Sequence, residues 1–119
     1  MEEKNKNSIF VWTKHSQAKM FEYNLSENRV KRVIRNPQRV EKGIAPQTLA
    51  SMQKAGSKKH PYEIWTMYQI KKSKIKNQKS KLIVISAWKY PGITKPGDPI
   101  PIPPDIFEEI MISIAKTSR

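Results

Sequence analysis

Two segments rich in β-branched and aromatic residues constrain the fold most strongly. The sequence "YEIWTMYQI" occupies residues 62–70, and "KLIVISAWKY" occupies residues 81–90. Both compositions are typical of β-strands, because such side chains fit a pleated and half-buried surface. The continuous apolar run at 82–85 further predicts a strand that is buried on both faces. We therefore expect the 119-residue chain to form one small domain around these two strands.

A lysine-rich segment separates the two strands. Residues 71–81, "KKSKIKNQKSK", contain six lysines and no acidic residue. The segment is too long for a tight hairpin turn. Either the strands extend into it as a protruding ribbon that binds phosphates, or it is a solvated loop whose lysines prevent edge aggregation. The candidate nucleic-acid-binding residues here are Lys71, Lys72, Lys74, Lys76, Lys79 and Lys81.

Two helices are predicted before the strands. Thr13 or Ser16 caps the first, which runs to about Tyr23, and its predicted apolar stripe comprises Ala18, Phe21 and Leu25. Ser26 caps the second helix, which ends at the Asn36–Pro37 pair because a residue before proline avoids the α region. Its apolar face consists of Val30, Val33 and Ile34, and its opposite face carries the candidate nucleic-acid-binding residues Arg29, Arg32 and Arg35.

Shorter elements complete the predicted order. Residues 8–13 form a short strand or an extended lead-in, 38–43 a short strand and 47–53 an ambiguous one. The six prolines of residues 91–104 predict an extended connector on the surface. Residues 105–116 form an amphipathic helix that either covers the sheet or binds a partner, and packing on the sheet is favoured because a short sheet needs cover.

This order predicts an α+β fold. Two N-terminal helices pack on a small antiparallel sheet of three to four strands, and a C-terminal helix follows. Residues 1–8 form a flexible N-terminus, and residues 9–92 form the domain. Residues 93–119 supply a proline-rich connector and a helix that packs on the same domain.

The net charge of +13 is concentrated in the first three quarters of the chain. Residues 1–90 contain 20 Lys and Arg against 6 Asp and Glu, whereas residues 91–119 contain 3 against 4. Such an excess gives no fold stability, because like charges repel. It indicates a polyanionic partner, with nucleic acid first and an anionic membrane surface second. A basic surface without a partner is the remaining interpretation.

Several classes of protein are not expected. The chain has no cysteine, which excludes a disulfide scaffold and a cysteine-ligated metal site. Its two histidines have no acidic cluster beside them, so we expect no metal and no cofactor. Phosphate-loop, nucleophile-elbow and zinc-protease motifs are absent. Without an apolar run near 20 residues or a signal-peptide core, we expect a cytoplasmic protein that does not insert into membranes.

His15 and Lys19 are the first candidates for chemistry. Their i, i+4 spacing places them on one face of the first helix, beside the apolar stripe. The positive end of that helix disfavours a protonated His15, so a neutral imidazole is available as a general base. Alternatively, His15 is a rim residue bonded to backbone. The two long strands also carry four aromatic residues, Trp65, Tyr68, Trp88 and Tyr90. Each either packs in the core or presents a ring on which an RNA base stacks.

The segment "KHSQAKMFEYNLSENRVKRVIRNPQRVEKG" resembles the opening of the BrnT-like uncharacterised branch of the RelE/ParE toxin superfamily. The matching positions are His15, Ala18, Lys19, Met20, Leu25, Ser26, Glu27, Asn36, Pro37, Arg39, Val40 and Glu41. With the later "ISAWKYPG", the resemblance covers about residues 10–92. It implies helices packed on a small antiparallel sheet, RNA cleavage by basic side chains without metal, and an antitoxin protein as partner. The lysine loop and the proline-rich extension depart from this pattern.

Three functions remain open from the sequence. The first is a metal-independent ribonuclease that acts through the 2′-hydroxyl of RNA. In it, His15 is the base or acid, phosphate is held by Lys19, Arg39 and Lys89, and Glu63 or Tyr90 assists. The second is a nucleic-acid-binding module without catalysis. The third is a protein-interaction unit that uses the terminal helix and the proline segment.

Overall fold

The computed structural model describes residues 8–117. The predicted flexible N-terminus therefore lies outside the described residues, apart from Ser8. Within this range the strands are β1 (Ile9–Trp12), β2 (Arg39–Lys42), β3 (Leu49–Gly56), β4 (Pro61–Lys71) and β5 (Lys81–Pro91). The helices of the same range are α1 (Lys14–Glu22), α2 (Glu27–Arg35) and α3 (Pro104–Thr117). The α+β class and the C-terminal helix are thus confirmed.

The strands form one mixed sheet in the order β1-β5-β4-β3-β2. Strands β2 to β5 pair antiparallel, whereas β1 pairs parallel with β5, with Ile9 opposite Lys81 and Trp12 opposite Val84. The prediction of three to four antiparallel strands is therefore wrong in number and in one pairing. The difference arises from β1, which pairs with a strand about 70 residues later in the chain. A local sequence pattern does not reveal a pairing between such distant segments.

Helix α1 begins where β1 ends. The Thr13 hydroxyl donates to the carbonyl of Val84 at 3.1 Å, and its oxygen accepts the N–H of Ser16 at 3.0 Å. Thr13 is therefore both the N-cap of α1 and the link that holds this helix beside β5. The connection matters for the site, because it fixes the direction in which His15 and Lys19 point.

The two faces of the sheet carry separate cores. One core joins Val30, Val33 and Ile34 of α2 to side chains of β4 and β5, and Met20 of α1 belongs to it. The other core joins Ile106 and Ile110 of α3 to Trp65, Met67 and Trp88. The apolar face of α3 thus packs on its own sheet, whereas Phe107 and Met111 of the same helix are exposed.

The predicted apolar stripe of α1 is not its buried face. Ala18 is exposed, and the side chain of Phe21 is 90% exposed. Ser16, Lys19 and Met20 are buried instead. Leu25 is buried as predicted, but it lies beyond the end of the helix at Glu22. This change leaves one aromatic ring open to solvent.

The lysine segment is a loop and not a ribbon. Strand β4 ends at Lys71 and β5 begins at Lys81, and residues 72–80 between them contain turns and no strand. The interpretation as a solvated loop is therefore correct for the conformation. Within residues 8–117, no helix is both long and apolar enough to cross a membrane.

Candidate nucleic-acid interface

The predicted catalytic residues lie in three separate places. His15 and Lys19 contact α3. Arg39 and Glu63 both bond to Thr94 in the proline-rich segment, and Tyr90 lies opposite Glu63 in the sheet register. Lys89 pairs in register with Ile64, which belongs to the core under α2. Lys89 therefore points away from the other five residues, and the six do not form one site.

His15 is held at both ring nitrogens. Its Nε2 lies 3.0 Å from Oγ of Ser86, and its Nδ1 lies 3.2 Å from a carboxylate oxygen of Glu109. These contacts fit a neutral ring in which Nδ1 donates to Glu109 and Nε2 accepts from Ser86. Burial lowers the pKa of His15, an effect larger than the opposing attraction of Glu109.

Lys19 is also held by carboxylates. Its Nζ donates to Asp105 at 2.6 Å and to Glu22 at 3.1 Å, and its side chain is only 10% exposed. The hydrogen bond to Asp105 raises the pKa of Lys19, and the same bond lowers the pKa of Asp105. Its charge is therefore already neutralised within the domain, and α1 is joined to α3.

The order Ser86–His15–Glu109 is that of a serine hydrolase triad. A nucleophile must reach its substrate, however, and Ser86 is completely buried in β5. The cavity of about 450 Å³ beside His15 is lined by Glu109 and Ile110 among others, but Ser86 does not line it. The hydrogen bonds of His15 to Ser86 and Glu109 therefore connect α1 to β5 and α3, and Ser86 is not exposed as a nucleophile.

Glu63 anchors the proline-rich segment. Its carboxylate is 0% exposed and accepts the N–H and hydroxyl of Thr94 at 2.8 and 2.9 Å, and the indole N–H of Trp65 at 2.9 Å. Arg39 donates to the same hydroxyl at 2.7 Å and lies over the Trp65 ring. Both residues thus fasten residues 92–98 to the sheet.

The tryptophans of the two long strands are core residues. Trp65 and Trp88 are fully buried, and their rings stack at 6.5 Å between centroids. Tyr68 is buried as well and its hydroxyl bonds to Ser51 at 2.7 Å. Tyr90 is half-buried at the edge of the core under α3. None of the first three rings is available to a base.

A groove on the opposite face combines the features that nucleic acid requires. It has a volume of about 660 Å³ and lies between the α1–α2 turn and the ends of β4 and β5. Arg29 and Lys89 are its cationic lining residues, and Phe21 and Tyr62 are its aromatic ones. The ammonium group of Lys89 lies 5.2 Å from the centre of the Tyr62 ring, a cation–π contact that orients it.

Local structure determines how this groove is built. The turn after α1 has Asn24 in the left-handed region, at φ 57°, and the N–H of Leu25 donates to the carbonyl of Met20 at 2.7 Å. This hydrogen-bonded C-terminal cap ends α1 and leaves Phe21 at the rim of the groove. Ser26 then caps α2 by accepting the N–H of Arg29 at 3.1 Å, so Arg29 lies in the first turn beside the groove.

Neither cation of the groove has an acidic partner among the described residues. The guanidinium of Arg29 donates to the amide oxygen of Gln53 at 2.6 Å and forms no ion pair with any residue that the structure describes. Burial lowers the pKa of Arg29, and the positive charge of Arg32 lowers it further. Arginine nevertheless stays charged at neutral pH, so Arg29 keeps its positive charge in the groove.

The other predicted cationic residues lie elsewhere. Arg32 is exposed on α2, whereas Arg35 lies over the ring of Phe10 with its guanidinium carbon 5.3 Å from the ring centre. Lys71 and Lys81 are opposite each other at the end of the β4–β5 pair next to the lysine loop. Lys89 of the groove is opposite Ile64, farther along the same pair of strands. Lys89 lies eight positions after Lys81 in β5, which corresponds to about 26 Å along a strand. The lysine loop is therefore a second, distant patch.

Sequence reasoning missed the two aromatic residues of the groove. The helical pattern predicts Phe21 in an apolar stripe, and the strand pattern identifies Tyr62 only as the first residue of a strand. The signal for Phe21 is the "EYN" that follows it, because Asn favours the left-handed conformation that ends a helix. For Tyr62, only the register with β5, which brings Lys89 near, reveals a role.

No group of acidic or histidine side chains that could hold a metal ion occurs within residues 8–117. Comparison with protein-family models, with curated proteins and with solved structures finds no match to this chain. The resemblance to BrnT-like proteins, with the antitoxin partner it implies, therefore stays a prediction. The geometry of the groove is the basis for assigning a function.

Proposed function

We propose that this protein binds RNA through the groove between α1, α2 and the ends of β4 and β5, and that it does so without cleaving it. The observation that carries the proposal is the pair Arg29 and Lys89. Both cations line one groove, and no described carboxylate neutralises either of them. RNA is proposed over other polyanions because the resemblance in residues 10–92 implies it.

Electrostatics supports this location. A phosphate that contacts Arg29 and Lys89 releases condensed counterions, which is the main source of affinity for nucleic acid. The acidic side chains of α3, including Asp105 and Glu109, are on the other side of the sheet, where they pair with Lys19 and His15. The groove therefore keeps a positive potential to attract phosphate.

Binding without cleavage follows from the positions of the candidate catalytic groups. Cleavage through the 2′-hydroxyl needs a base, a cation on the phosphate and an acid close together. Of the candidates, only Lys89 lines the groove. Glu63 is fully buried, and His15 and Lys19 are engaged by carboxylates. Among the described residues, the groove thus has cations for binding but no histidine or carboxylate for proton transfer.

The proposal is tested with a short unstructured single-stranded RNA that carries a fluorescent label. We expect anisotropy to report binding that weakens steeply between about 50 mM and about 200 mM salt. In the same samples, incubated with EDTA, denaturing gels should show intact RNA. A flat salt dependence would refute binding by phosphate contacts.

The result that would overturn the absence of catalysis is equally direct. If the wild-type protein cuts the RNA in EDTA and His15→Gln does not, His15 is a catalytic residue. Gln keeps a polar group near Ser86 and Glu109, so the variant separates loss of chemistry from loss of packing. The unfolding curve of the variant provides the control for folding.

A further inference from the structure

We infer that the groove takes an unpaired nucleotide, whose base stacks on the ring of Phe21 while its phosphates lie against Arg29 and Lys89. The inference rests on the proposed function and narrows it to single-stranded RNA. It concerns a base-stacking site on a residue that the sequence pattern assigned to the core.

The exposure of Phe21 carries the first step. Its side chain is 90% exposed on a helix whose other large apolar side chain, Met20, is buried. Phe21 also lines the groove. Proteins bind unpaired bases by stacking them on exposed aromatic rings beside cationic side chains, because every base has a π-face that can stack. In contrast, Trp65 and Trp88 are fully enclosed.

Tyr62, the other aromatic residue that lines the groove, has a different role. One face of the Tyr62 ring lies under the ammonium group of Lys89, at 5.2 Å from the ring centre. Tyr62 is half-buried and packs against the core under α2. It therefore holds Lys89 in position and leaves Phe21 as the ring on which a base can stack.

The size and composition of the groove agree with one nucleotide. Its volume of about 660 Å³ falls within the roughly 300–1,000 Å³ typical of sites for small organic ligands. The lining includes the polar side chains of Asn24 and Ser26, which offer hydrogen-bonding groups to a base or a sugar. Within residues 8–117, no acidic side chain lines the groove.

A double helix cannot use such a site. Its bases are paired and stacked on each other, so it offers the groove only phosphates. Single-stranded RNA offers phosphates and a base together. The protein should therefore prefer the single strand, and the part of its affinity that comes from stacking should depend on the ring of Phe21.

The test compares a single-stranded RNA and a blunt RNA duplex of the same length. The variants are Phe21→Leu, which removes the ring, and Phe21→Trp, which keeps a ring. We expect Phe21→Leu to weaken binding of the single strand by about 5- to 140-fold and to leave duplex binding unchanged. Phe21→Trp should bind the single strand at least as tightly as the wild type.

Phe107→Leu is the matched control, since Phe107 is 45% exposed on α3 and lies outside the groove. It should bind like the wild type. If Phe21→Leu binds the single strand as tightly as the wild type while binding stays salt-dependent, the stacking site is refuted and RNA binding stands. If neither RNA binds, both the inference and the proposed function fail.

Discussion

His15 and Lys19 lie one turn apart on α1, and both contact carboxylates of α3. In the sequence, this spacing suggests a shared catalytic face. In the folded protein, it lets one helix face contact Glu109 and Asp105, which the chain supplies about 90 residues later. Helical periodicity predicts that His15 and Lys19 share one face of α1. It does not predict that this face contacts Glu109 and Asp105, because that depends on where α3 packs.

The pH dependence of stability tests the environment of His15. Burial lowers its pKa in the folded protein below the ordinary value of 6.5. The unfolded chain therefore takes up a proton first as pH falls, and stability declines below about pH 6.5. We expect the free energy of unfolding to fall between about pH 7.5 and about pH 5.5, by no more than about 1.4 kcal/mol per pH unit for one proton.

Urea unfolding of the wild type, His15→Gln and His60→Gln measures this effect. His15→Gln should show a smaller decline over this range. His60→Gln changes the histidine on the exposed turn between β3 and β4 and should decline like the wild type. An unchanged decline in His15→Gln would show that another group is responsible.

At the scale of elements, residues 92–98 pack against the sheet through a buried carboxylate. Glu63 is 0% exposed and accepts hydrogen bonds from Thr94 and Trp65. The prolines in 91–104 predicted an extended connector on the surface, but they did not predict what holds it. The anchoring role of Glu63 could not be predicted from the sequence, because its partner Thr94 lies 31 positions away.

Removal of the Thr94 hydroxyl should therefore destabilise the protein. In Thr94→Val, Glu63 and Arg39 each lose a partly buried hydrogen bond to that hydroxyl. We expect a loss of about 1–3 kcal/mol in the free energy of unfolding. Thr94→Ser, which keeps the hydroxyl, is the control and should lose clearly less. Equal losses in the two variants would assign the effect to packing.

The order of elements was largely predictable, because α2, β4, β5 and α3 each have strong local patterns. The arrangement of the sheet was less so. Strand β1 has only four residues, and its parallel pairing with β5 depends on a contact far along the chain. The same pairing directs α1 to the edge of β5 and brings Met20, rather than Phe21, into the core.

At the scale of the whole molecule, charge is separated between the two sides of the sheet. Asp105 and Glu109 of α3 pair with His15 and Lys19 on one side. Arg29 and Lys89 lie in the groove on the other side, where none of the described carboxylates pairs with them. The net charge of +13 predicted a polyanionic partner. The location of the groove could not be predicted, since it requires the register that places Lys89 beside Tyr62.

The central claim is that Arg29 and Lys89 contact phosphate, and the salt dependence of RNA affinity tests it most directly. For single strands, each phosphate contact contributes about 0.7 to the slope of log affinity against log salt concentration. The double variant Arg29→Gln/Lys89→Gln should therefore bind more weakly, with a slope that is flatter by about 1.4.

The double variant Lys14→Gln/Lys95→Gln is the matched control. It loses the same net charge at two exposed positions outside the groove. The measurement is anisotropy of labelled single-stranded RNA across a series of salt concentrations for the wild type and both variants. We predict a flatter slope for the groove variant alone. Equal slopes in the two variants would contradict the claim, because binding would then depend on total charge and not on the groove.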